Sequence, residues 1–466
     1  MMLRGLVSCV KNPDSARASY FIVSCNGAAL HTSVAEGGIS AGTGDVVEFD
    51  GGRIESVEED PGYAKAVEKD LAAFCKGLFG SKAHKYGNAD IDAVTSRLWV
   101  AAMNAGKLLA RKIAYCAPII VRFHNDADGS GGALALNCAL RELVPRIGEA
   151  GNIVWMMQKG VSYSAYDAAN DMLIANGYSS MEKPLLIIID FGTTTQSNAG
   201  IRAVDGKFDV IWLDHHPIVD GFEGAVLGNY INPWNYGGNS NYTAGLLASV
   251  FAKTFSDADT GLFERASLIG DYSEYAPMDD AKAQQASMLL DFITSDLQAA
   301  FGPSKQNVTP QEIMSVLSDR KRRKELLDYA NIRLEEAVER GMDAARMYEA
   351  PGAFVYLLDF DVVKSGETRY PLPGRFASKL LARINGTDMR RAIVVLYVGA
   401  YIMMRADKEL CTDLNILDVI AEVKRRYGND VENGGGHRCA GAVKLADKSR
   451  SREVAIAIVR IIKNAI

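Results

Sequence analysis

The sequence lacks several features that mark specialised classes of protein. Its 51 Lys and Arg residues are outnumbered by 57 Asp and Glu residues, so the formal net charge is −6. This balance argues against a protein that coats nucleic acid through a diffuse positive field, although a local basic groove could still hold phosphates. The longest apolar run, from Ala392 to Met404, has 13 residues and is too short to span a bilayer.

Cysteine motifs and targeting signals are also missing. The seven cysteines include no Cys-x-x-Cys pair, so neither a disulfide scaffold nor a zinc ribbon is expected, and reduced thiols are predicted. The first ten residues, MMLRGLVSCV, have no signal-peptide apolar region or cleavage site. With 48% hydrophobic and 23% charged residues, the sequence predicts a globular, cytoplasmic protein of two or three domains.

The first 60 residues are predicted to form a small β module. Short β-prone runs occur at Tyr20–Ser24, Asp45–Phe49 and Arg53–Val57, and the Gly51-Gly52 pair between the last two predicts a hairpin. No chemistry is assigned to this module. Apolar residues then recur at helical spacing up to about Ala114.

After residue 118 the pattern changes to strands that alternate with helices. The predicted strands are Ile119–Phe123, Ile153–Met157, Leu185–Ile189 and Val210–Leu213. This alternation is typical of a doubly wound parallel sheet, in which ligands bind beyond the carboxyl ends of the strands. Residues 276–350 are charged and helical, and a second, smaller α/β unit with a Gly434–Gly436 loop follows from residue 351.

Three of the predicted parallel strands end in acidic or imidazole side chains. These ends carry the sequences HNDADG (124–129), DFG (190–192) and DHHP (214–217). One such Asp usually caps a helix, but three strand ends meet at one edge of a sheet, where their carboxylates repel unless cations neutralise them. Carboxylates mixed with imidazole favour Mn²⁺, Fe²⁺ or Zn²⁺ over Mg²⁺. The sequence therefore predicts a metal site at this edge.

The spacing of two carboxylates suggests more than one ion. Asp126 and Asp128 are two residues apart in a loop that ends in Gly129, so each can serve one of two neighbouring ions. Asp190 could then bridge ions about 3.5–4 Å apart, the spacing of two-metal phosphoryl hydrolases.

Five motifs in order resemble one known family. HNDADG, IIIDFG, LDHHP, LIGDYSEY and GGGHRCAG resemble the DHH phosphoesterases that carry a carboxyl-terminal DHHA1 domain, over residues 118–466. The HxDAD motif with its following Gly is most similar to archaeal RecJ-like exonucleases. The resemblance implies a DHH catalytic domain with a helical lead-in at 61–275, a helical connector at 276–350 and a DHHA1 substrate-binding domain at 351–466.

The resemblance also implies roles for individual residues in the catalytic domain. Asp214 and His216 match groups that orient the site and touch the scissile phosphate, and Arg122 stands where many members have a ligating His, so His124 is the expected substitute. Glu274 is the alternative to Asp271. The implied metal ligands are His124, Asp126, Asp128, Asp190, His215 and Asp271.

In the second domain, the resemblance implies a substrate-binding group. Gly434, Gly435, Gly436 and His437 match the DHHA1 substrate loop, in which glycines let backbone N–H groups approach a phosphate. Arg405 matches a strand-borne Arg that faces the cleft and suits bidentate phosphate binding. The alternative for Gly434–His437 is a tight turn with a surface His. The alternative for Arg405 is a salt bridge with a nearby acidic residue.

Two other segments allow two interpretations each. The segment 232–240, which contains Trp234 and Tyr236, could stack bases or close a loop over the sheet. The basic run Arg320–Lys324 could follow a nucleic-acid backbone or form a solvated helix face.

The predicted function is a two-metal phosphodiesterase, an exonuclease acting on single-stranded DNA or RNA, with two Mn²⁺ ions and with Mg²⁺ or Co²⁺ as possible substitutes. A hydrolase of small phosphates, such as nanoRNA, cyclic dinucleotides or 3′-phosphoadenosine phosphate, is the alternative within the enzymes. A replication scaffold that binds a GINS-type partner is the alternative of another class. No membrane association is predicted.

Overall fold

The computed structural model describes residues 2–15, 17–26, 29–79, 83–147, 152–364, 370–387 and 391–466. The chain divides into two compact units, residues 1–287 with 307–315 and residues 288–306 with 316–466. The β module and the parallel sheet therefore share the first unit, and the predicted connector is divided between the two. Among the described residues, none of the helices is both long and apolar enough to cross a membrane.

The amino-terminal module is an antiparallel sheet with one short parallel pair. Its strands are β1 (Leu3–Lys11), β2 (Ser19–Asn26), β3 (Ala29–Ala35), β4 (Gly37–Gly38), β5 (Val46–Asp50) and β6 (Arg53–Glu58), in the order β3-β2-β1-β5-β6-β4. The predicted hairpin joins β5 to β6, and both turn residues, Gly51 and Gly52, have positive φ (57° and 81°), as a type I′ turn requires.

Two helices connect the module to the parallel sheet. They are α1 (Pro61–Gly77) and α2 (Ala89–Ala114). The Asp60 side chain caps α1 by accepting hydrogen bonds from the backbone N–H groups of Gly62 and Tyr63. Leu6 of β1 and Leu98 of α2 belong to one buried apolar cluster that also contains Val121 of the next strand, so the module is part of the same core as the sheet.

The predicted doubly wound sheet is confirmed, with five parallel strands in the order β12-β11-β10-β7-β8. Its strands are β7 (Ile119–His124), β8 (Ile153–Gln158), β10 (Leu185–Ile189), β11 (Asp209–Leu213) and β12 (Tyr230–Ile231), while β9 (Tyr178–Ser180) pairs with β1. The helices of this region are α3 (Ala127–Ile147), α4 (Ala165–Ala175), α5 (Asn198–Val204), α6 (Ala244–Ala252) and α7 (Gly261–Gly270). The strand order reverses between β7 and β10, and ligands bind at such a switch point.

The second unit is built on a mixed sheet of six strands in the order β13-β14-β15-β16-β18-β17. Its strands are β13 (Arg346–Ala350), β14 (Ala353–Asp359), β15 (Ala392–Val398), β16 (Tyr401–Ala406), β17 (Val431–His437) and β18 (Ala440–Leu445). The helices after the parallel sheet are α8 (Ala281–Ser295), α9 (Leu297–Phe301), α10 (Pro310–Ser318), α11 (Arg320–Ala344), α12 (Phe360–Val363), α13 (Pro373–Thr387), α14 (Ile416–Tyr427) and α15 (Ser451–Ala465). Both α8 and α10 cross the division between the units.

Two predictions for the second unit need correction. Gly434–Gly436 is not a loop but part of β17, which pairs antiparallel with β18. Glycine is needed there because a Cβ on Gly436 would lie 2.3 Å from the carbonyl oxygen of Ala440. The thiols are not all reduced, since Cys411 and Cys439 form a disulfide whose Cα atoms are 5.6 Å apart. This pair fixes the β17–β18 turn to the segment after β16, a long-range contact that the cysteine spacing does not reveal.

Candidate metal centre

The carboxyl edge of the parallel sheet brings together the side chains that follow β7 and β10. His124 is the last residue of β7, and its Nδ1 lies 2.7 Å from Oδ2 of Asp126 and 3.7 Å from Oδ2 of Asp190. One potential ligand atom from each of these three residues lies within 4.8 Å of the others. His124, Asp126 and Asp190 therefore form one triplet that can hold an ion.

A second triplet lies beside the first. His215, after β11, has its Nε2 3.5 Å from Oδ2 of Asp128 and 3.3 Å from Oδ1 of Asp190. Asp271, at the carboxyl end of α7, has Oδ2 3.8 Å from Nδ1 of His215. Asp128, His215 and Asp271 form a triplet with ligand atoms within 4.8 Å of one another. Since Asp190 approaches both imidazoles, it lies between the triplets.

The tautomer of His215 is set by a backbone contact. Its Nδ1 lies 2.7 Å from the carbonyl oxygen of Ser240, so a neutral imidazole donates its Nδ1–H there and leaves the Nε2 lone pair facing the carboxylates. This is the usual arrangement of a metal-ligating His, whose second ring nitrogen is held by a hydrogen bond.

Asp128 is held by the start of α6. Its two carboxylate oxygens accept hydrogen bonds from the backbone N–H groups of Ala244 (2.8 Å) and Gly245 (2.7 Å). These are unpaired donors at a helix amino terminus, where negative charge is stabilised. A Cβ on Gly245 would lie 1.9 Å from Oγ of Ser267 and 3.1 Å from Oδ1 of Asp128. Glycine at 245 thus permits the close approach of the helix to the carboxylate.

The burial, backbone conformation and hydrogen bonding of Asp190 are those expected of a carboxylate that binds a cation. Asp190 is 2% exposed, and its φ of 69° is a left-handed conformation that is uncommon for residues other than glycine. Within the described part of the chain, the buried Oδ1 of Asp190 accepts no hydrogen bond, since Nε2 of His215, 3.3 Å away, carries a lone pair when the imidazole is neutral. Because a buried carboxylate oxygen without a donor is costly, and because Asp and His surround it, the residues fit divalent metal ions.

Asp214 and His216, on either side of His215 in the DHHP motif, are joined by a hydrogen bond. Asp214 is fully buried and accepts hydrogen bonds from the backbone N–H (3.1 Å) and Oγ1 (2.5 Å) of Thr193 and from Nδ1 of His216 (2.7 Å). His216 is 53% exposed at its side chain, and one of its ring nitrogens lies within 4.8 Å of ligand atoms of Asp190 and His215. Asp214 therefore positions His216 at the open side of the cluster.

The segment 232–240 supports the backbone of this motif, a role that the sequence did not indicate. Asn232 donates from Nδ2 to the carbonyl oxygen of His216 (2.9 Å), and Trp234 donates from its indole N–H to that of His215 (3.1 Å). Ser240 Oγ also donates to His215 O (2.9 Å). Of the two interpretations of this segment, loop closure over the sheet agrees with these contacts.

The hydrogen bonds of Arg122 go to residues outside the two triplets. Its guanidinium is 3% exposed and donates to Asp171, to Asp167 and to Oε1 of Gln158. The Asp171 carboxylate also accepts a hydrogen bond from Tyr163 Oη (2.8 Å). The position that carries a His in many family members is therefore used for a buried ion pair, and His124 occupies the cluster in its place.

Glu274, Arg405 and His437 are not members of either triplet. Glu274 is exposed, and its backbone N–H donates to Oδ1 of Asn241, so Asp271 is the better candidate of the two. Arg405 and His437 lie opposite the same residue, Ala440, on the two strands that flank β18. The side chain of His437 lies outside the part of the chain that the structure describes.

The carboxylates of the cluster raise the proton affinity of its imidazoles. Although burial opposes the charged form, the Asp126 carboxylate raises the pKa of His124 well above its ordinary value. Burial also opposes charge on His215, but the nearby carboxylates, Asp271 foremost, raise the pKa of this imidazole as well. Burial and a neighbouring carboxylate raise the pKa of Asp128. In the absence of metal, these three groups retain protons to a higher pH than they would in water.

We expect binding of Mn²⁺ to release protons and to strengthen as pH rises. Metal ligands must be neutral imidazole or ionised carboxylate, so an ion displaces the protons that the raised pKa values retain. The affinity should increase with pH until those groups have titrated. Isothermal titration calorimetry between about pH 5 and 8, in two buffers of different ionisation enthalpy, measures both quantities. An affinity that is constant over this range, without proton release, would contradict the assignment of His124 and His215 as ligands.

Comparison with known proteins identifies the family of the parallel-sheet region. Residues 118–266 match the family described as "DHH family, N-terminal domain". The chain carries a DHH-family domain. The predicted DHH domain is thereby confirmed, together with the α/β fold class, and the match contains every cluster residue except Asp271.

Individual relatives are distant. The uncharacterised protein MJ1198 of Methanocaldococcus jannaschii is 23% identical over 420 residues, which are 80% of this chain and 55% of that protein. The chain thus spans about half the length of this curated relative.

A solved DHH domain, from a protein described as a member of a family of ribosomal proteins, aligns with a TM-score of 0.69 at 18% identity, covering 85% of this chain and 97% of its own. It supports the fold alone. RecJ from Thermus thermophilus in complex with Mn²⁺ aligns with a TM-score of 0.47 at 14% identity, covering 80% of this chain and 60% of its own.

Proposed function

We propose that this DHH phosphoesterase is a two-metal phosphodiesterase that removes nucleotides from single-stranded DNA or RNA. The observation that carries the proposal is the pair of ligand triplets with Asp190 between them. The donor set of carboxylates and imidazoles favours Mn²⁺, with Mg²⁺ or Co²⁺ as substitutes. His124, Asp126 and Asp190 would hold one ion, and Asp128, His215 and Asp271 the other, with Asp190 shared.

The chain itself contributes fixed geometry and hydrogen-bond donors. Bound divalent ions would supply an activated water and would neutralise the charge that develops on the phosphorus atom. The Ser240 carbonyl holds the ring of His215, and the backbone N–H groups of Ala244 and Gly245 hold Asp128, so neither ligand needs to reorganise when an ion binds. His216 donates its Nδ1–H to Asp214. Although burial opposes the charged form, the Asp214 carboxylate raises the pKa of His216, and the protonated imidazole can donate its Nε2–H to an oxygen of the scissile phosphate.

The choice of a nucleic-acid strand as the substrate comes from the motifs. The HNDADG sequence is similar to that of archaeal RecJ-like exonucleases, and Arg405 with Gly434–Gly436 is the expected binding group for the phosphates beyond the scissile one. Arg405 suits this role because a guanidinium binds phosphate bidentately. A replication role with a GINS-type partner is compatible with this activity, since archaeal relatives combine the two.

The proposed substrate is tested by parallel digestion in Mn²⁺. End-labelled single-stranded DNA and RNA of the same sequence, a dinucleotide and a cyclic dinucleotide are incubated with the full chain, and the products are separated on a gel. We expect stepwise shortening of at least one of the two strands. An Asp190→Asn preparation purified in the same way controls for contaminating nucleases. Hydrolysis of the dinucleotide or cyclic dinucleotide alone would assign the site to small phosphates instead.

A further inference from the structure

A basic groove lies between α1 and α2, and the proposed catalytic chemistry makes no use of it. The groove has a volume of about 800 Å³, and its lining includes five basic side chains, namely Lys65, Lys69, Lys76, Lys107 and Arg111. Two acidic side chains, Glu68 and Glu182, also line it. The lining of this groove therefore carries a net positive charge, five basic against two acidic side chains, in a chain whose net charge is −6.

Most of this positive charge forms no ion pair with the residues that the structure describes. Glu182 already binds Nη2 of Arg111 (2.6 Å) and Nζ of the buried Lys112 (2.8 Å). The four groove lysines are exposed and form no ion pair within the described ranges of the chain. Of the two acidic side chains in the lining, Glu182 is paired and Glu68 forms no ion pair with another described residue.

Stabilisation of the helices does not explain these charges. Basic residues near a helix carboxyl terminus are favourable, which accounts for Lys76 in the last turn of α1 and Arg111 in the last turns of α2. Lys65 and Lys69 are the fifth and ninth of the 17 residues of α1, so neither lies in the last turn, where the helix dipole stabilises a cation. On α1, Lys65 and Lys69 are four residues apart, and so are Lys107 and Arg111 on α2. The two positions in each set are therefore about 6 Å apart along the helix axis. Repeated charges on two facing helices fit a chain of phosphates better than a single small anion.

The groove lies at the opposite edge of the parallel sheet from the metal triplets. Glu182 precedes β10, and α2 ends just before β7, so both groove elements adjoin the amino ends of the strands. The triplets follow the carboxyl ends of the same strands. With five residues in β10 at about 3.3 Å each, the two sites are at least about 15 Å apart. A ligand can therefore occupy the groove without contacting the metal ligands.

We propose that the α1–α2 groove binds the phosphate backbone of a nucleic-acid strand, as a surface separate from the hydrolytic centre. The choice of nucleic acid among polyanions rests on the proposed function. The four lysines contact phosphates, and Leu71 and Tyr115, both nearly buried in the lining, provide an apolar floor. A strand held there stays bound to the protein while another part of it occupies the metal centre.

The proposal is tested with the full chain and a variant that removes the four lysine charges, Lys65→Gln, Lys69→Gln, Lys76→Gln and Lys107→Gln. The matched control removes four exposed lysines elsewhere, Lys282→Gln, Lys408→Gln, Lys448→Gln and Lys463→Gln. Binding of a fluorescent single strand of about 20 nucleotides, longer than a typical site of 4–16, is measured by anisotropy in EDTA over a range of salt concentrations. Thermal unfolding verifies that both variants fold.

We expect the groove variant alone to lose affinity, by at least about tenfold near 0.1 M salt, and the slope of log affinity against log salt to flatten by about 2–3. Its hydrolysis of a dinucleotide should equal that of the wild type. If the groove variant binds the strand as the control variant does, the proposal is wrong. Loss of binding to phosphatidylserine vesicles without loss of binding to the strand would also overturn it in favour of a lipid surface. The wild type could bind the strand through the groove and yet hydrolyse none of the nucleotide substrates. That result would support the groove proposal and refute the proposed function.

Discussion

Replacing Asp190 by Asn is expected to reduce phosphodiester hydrolysis by well over a hundredfold while the protein remains folded. The Asp190 carboxylate approaches the imidazoles of both triplets, with Oδ2 3.7 Å from His124 Nδ1 and Oδ1 3.3 Å from His215 Nε2. Loss of a residue that only hydrogen-bonds to a metal ligand lowers metal affinity or activity about 10–100-fold. Loss of a ligand that is shared by two ions should lower activity further. Asn is chosen over Ala because Asn tolerates the positive φ at this position.

The stability of the metal-free Asp190→Asn protein is part of the same prediction. Removing one charge from a crowded set of carboxylates relieves repulsion, so the free energy of unfolding without metal should be unchanged or higher. The matched control is Asp279→Asn, an exposed Asp in the same unit, which should retain full activity. An Asp190→Asn enzyme that keeps more than a few per cent of the wild-type rate in saturating Mn²⁺ would refute the bridging role.

Replacing Arg122 by Met is expected to lower the free energy of unfolding by about 3–5 kcal/mol. The guanidinium of Arg122 is 3% exposed, and its partner Asp171 is fully buried, so the substitution leaves an uncompensated charge in the core. Urea denaturation of the metal-free protein measures the difference. The double variant Arg122→Met, Asp171→Asn should recover much of this loss, because it removes the orphaned charge and keeps an acceptor for the Tyr163 hydroxyl.

An exposed ion pair provides the control for the buried one. Arg202 pairs with Glu223 in the same unit, and its side chain is 70% exposed. Arg202→Met should therefore leave the free energy of unfolding nearly unchanged. If Arg122→Met were as mild as Arg202→Met, the buried network would not contribute to stability in the way that its contacts suggest.

The parallel sheet and the cluster at its edge could be predicted because both depend on local patterns. Short apolar runs between helical segments predict parallel strands, and the carboxyl ends of parallel strands meet at one edge. Asp126, Asp190 and His215 each lie within two residues of the end of a strand, so their convergence needs no knowledge of long-range packing. His124 could be placed in the same way once Arg122 was seen to depart from the family pattern.

The groups that hold the ligands could not be predicted because they come from distant parts of the chain. Ser240 fixes the ring of His215 from 25 residues away, and Gly245 holds Asp128 from 117 residues away. Backbone N–H and C=O groups carry no residue-specific signal, so no sequence motif marks them. The Gly434–Gly436 run was misjudged as a loop because glycine is typical of turns, whereas here it permits the close approach of two antiparallel strands.

The number of metal ions per chain tests the central claim most directly. The metal-free protein is titrated with Mn²⁺, and bound and free ions are separated by their electron paramagnetic resonance signals. The account predicts two bound ions in the wild type, with spin coupling between them because they share the Asp190 carboxylate. It also predicts that coupling is lost in Asp190→Asn. One bound ion at saturation, or two ions whose signals are independent in the wild type, would contradict the two-ion centre.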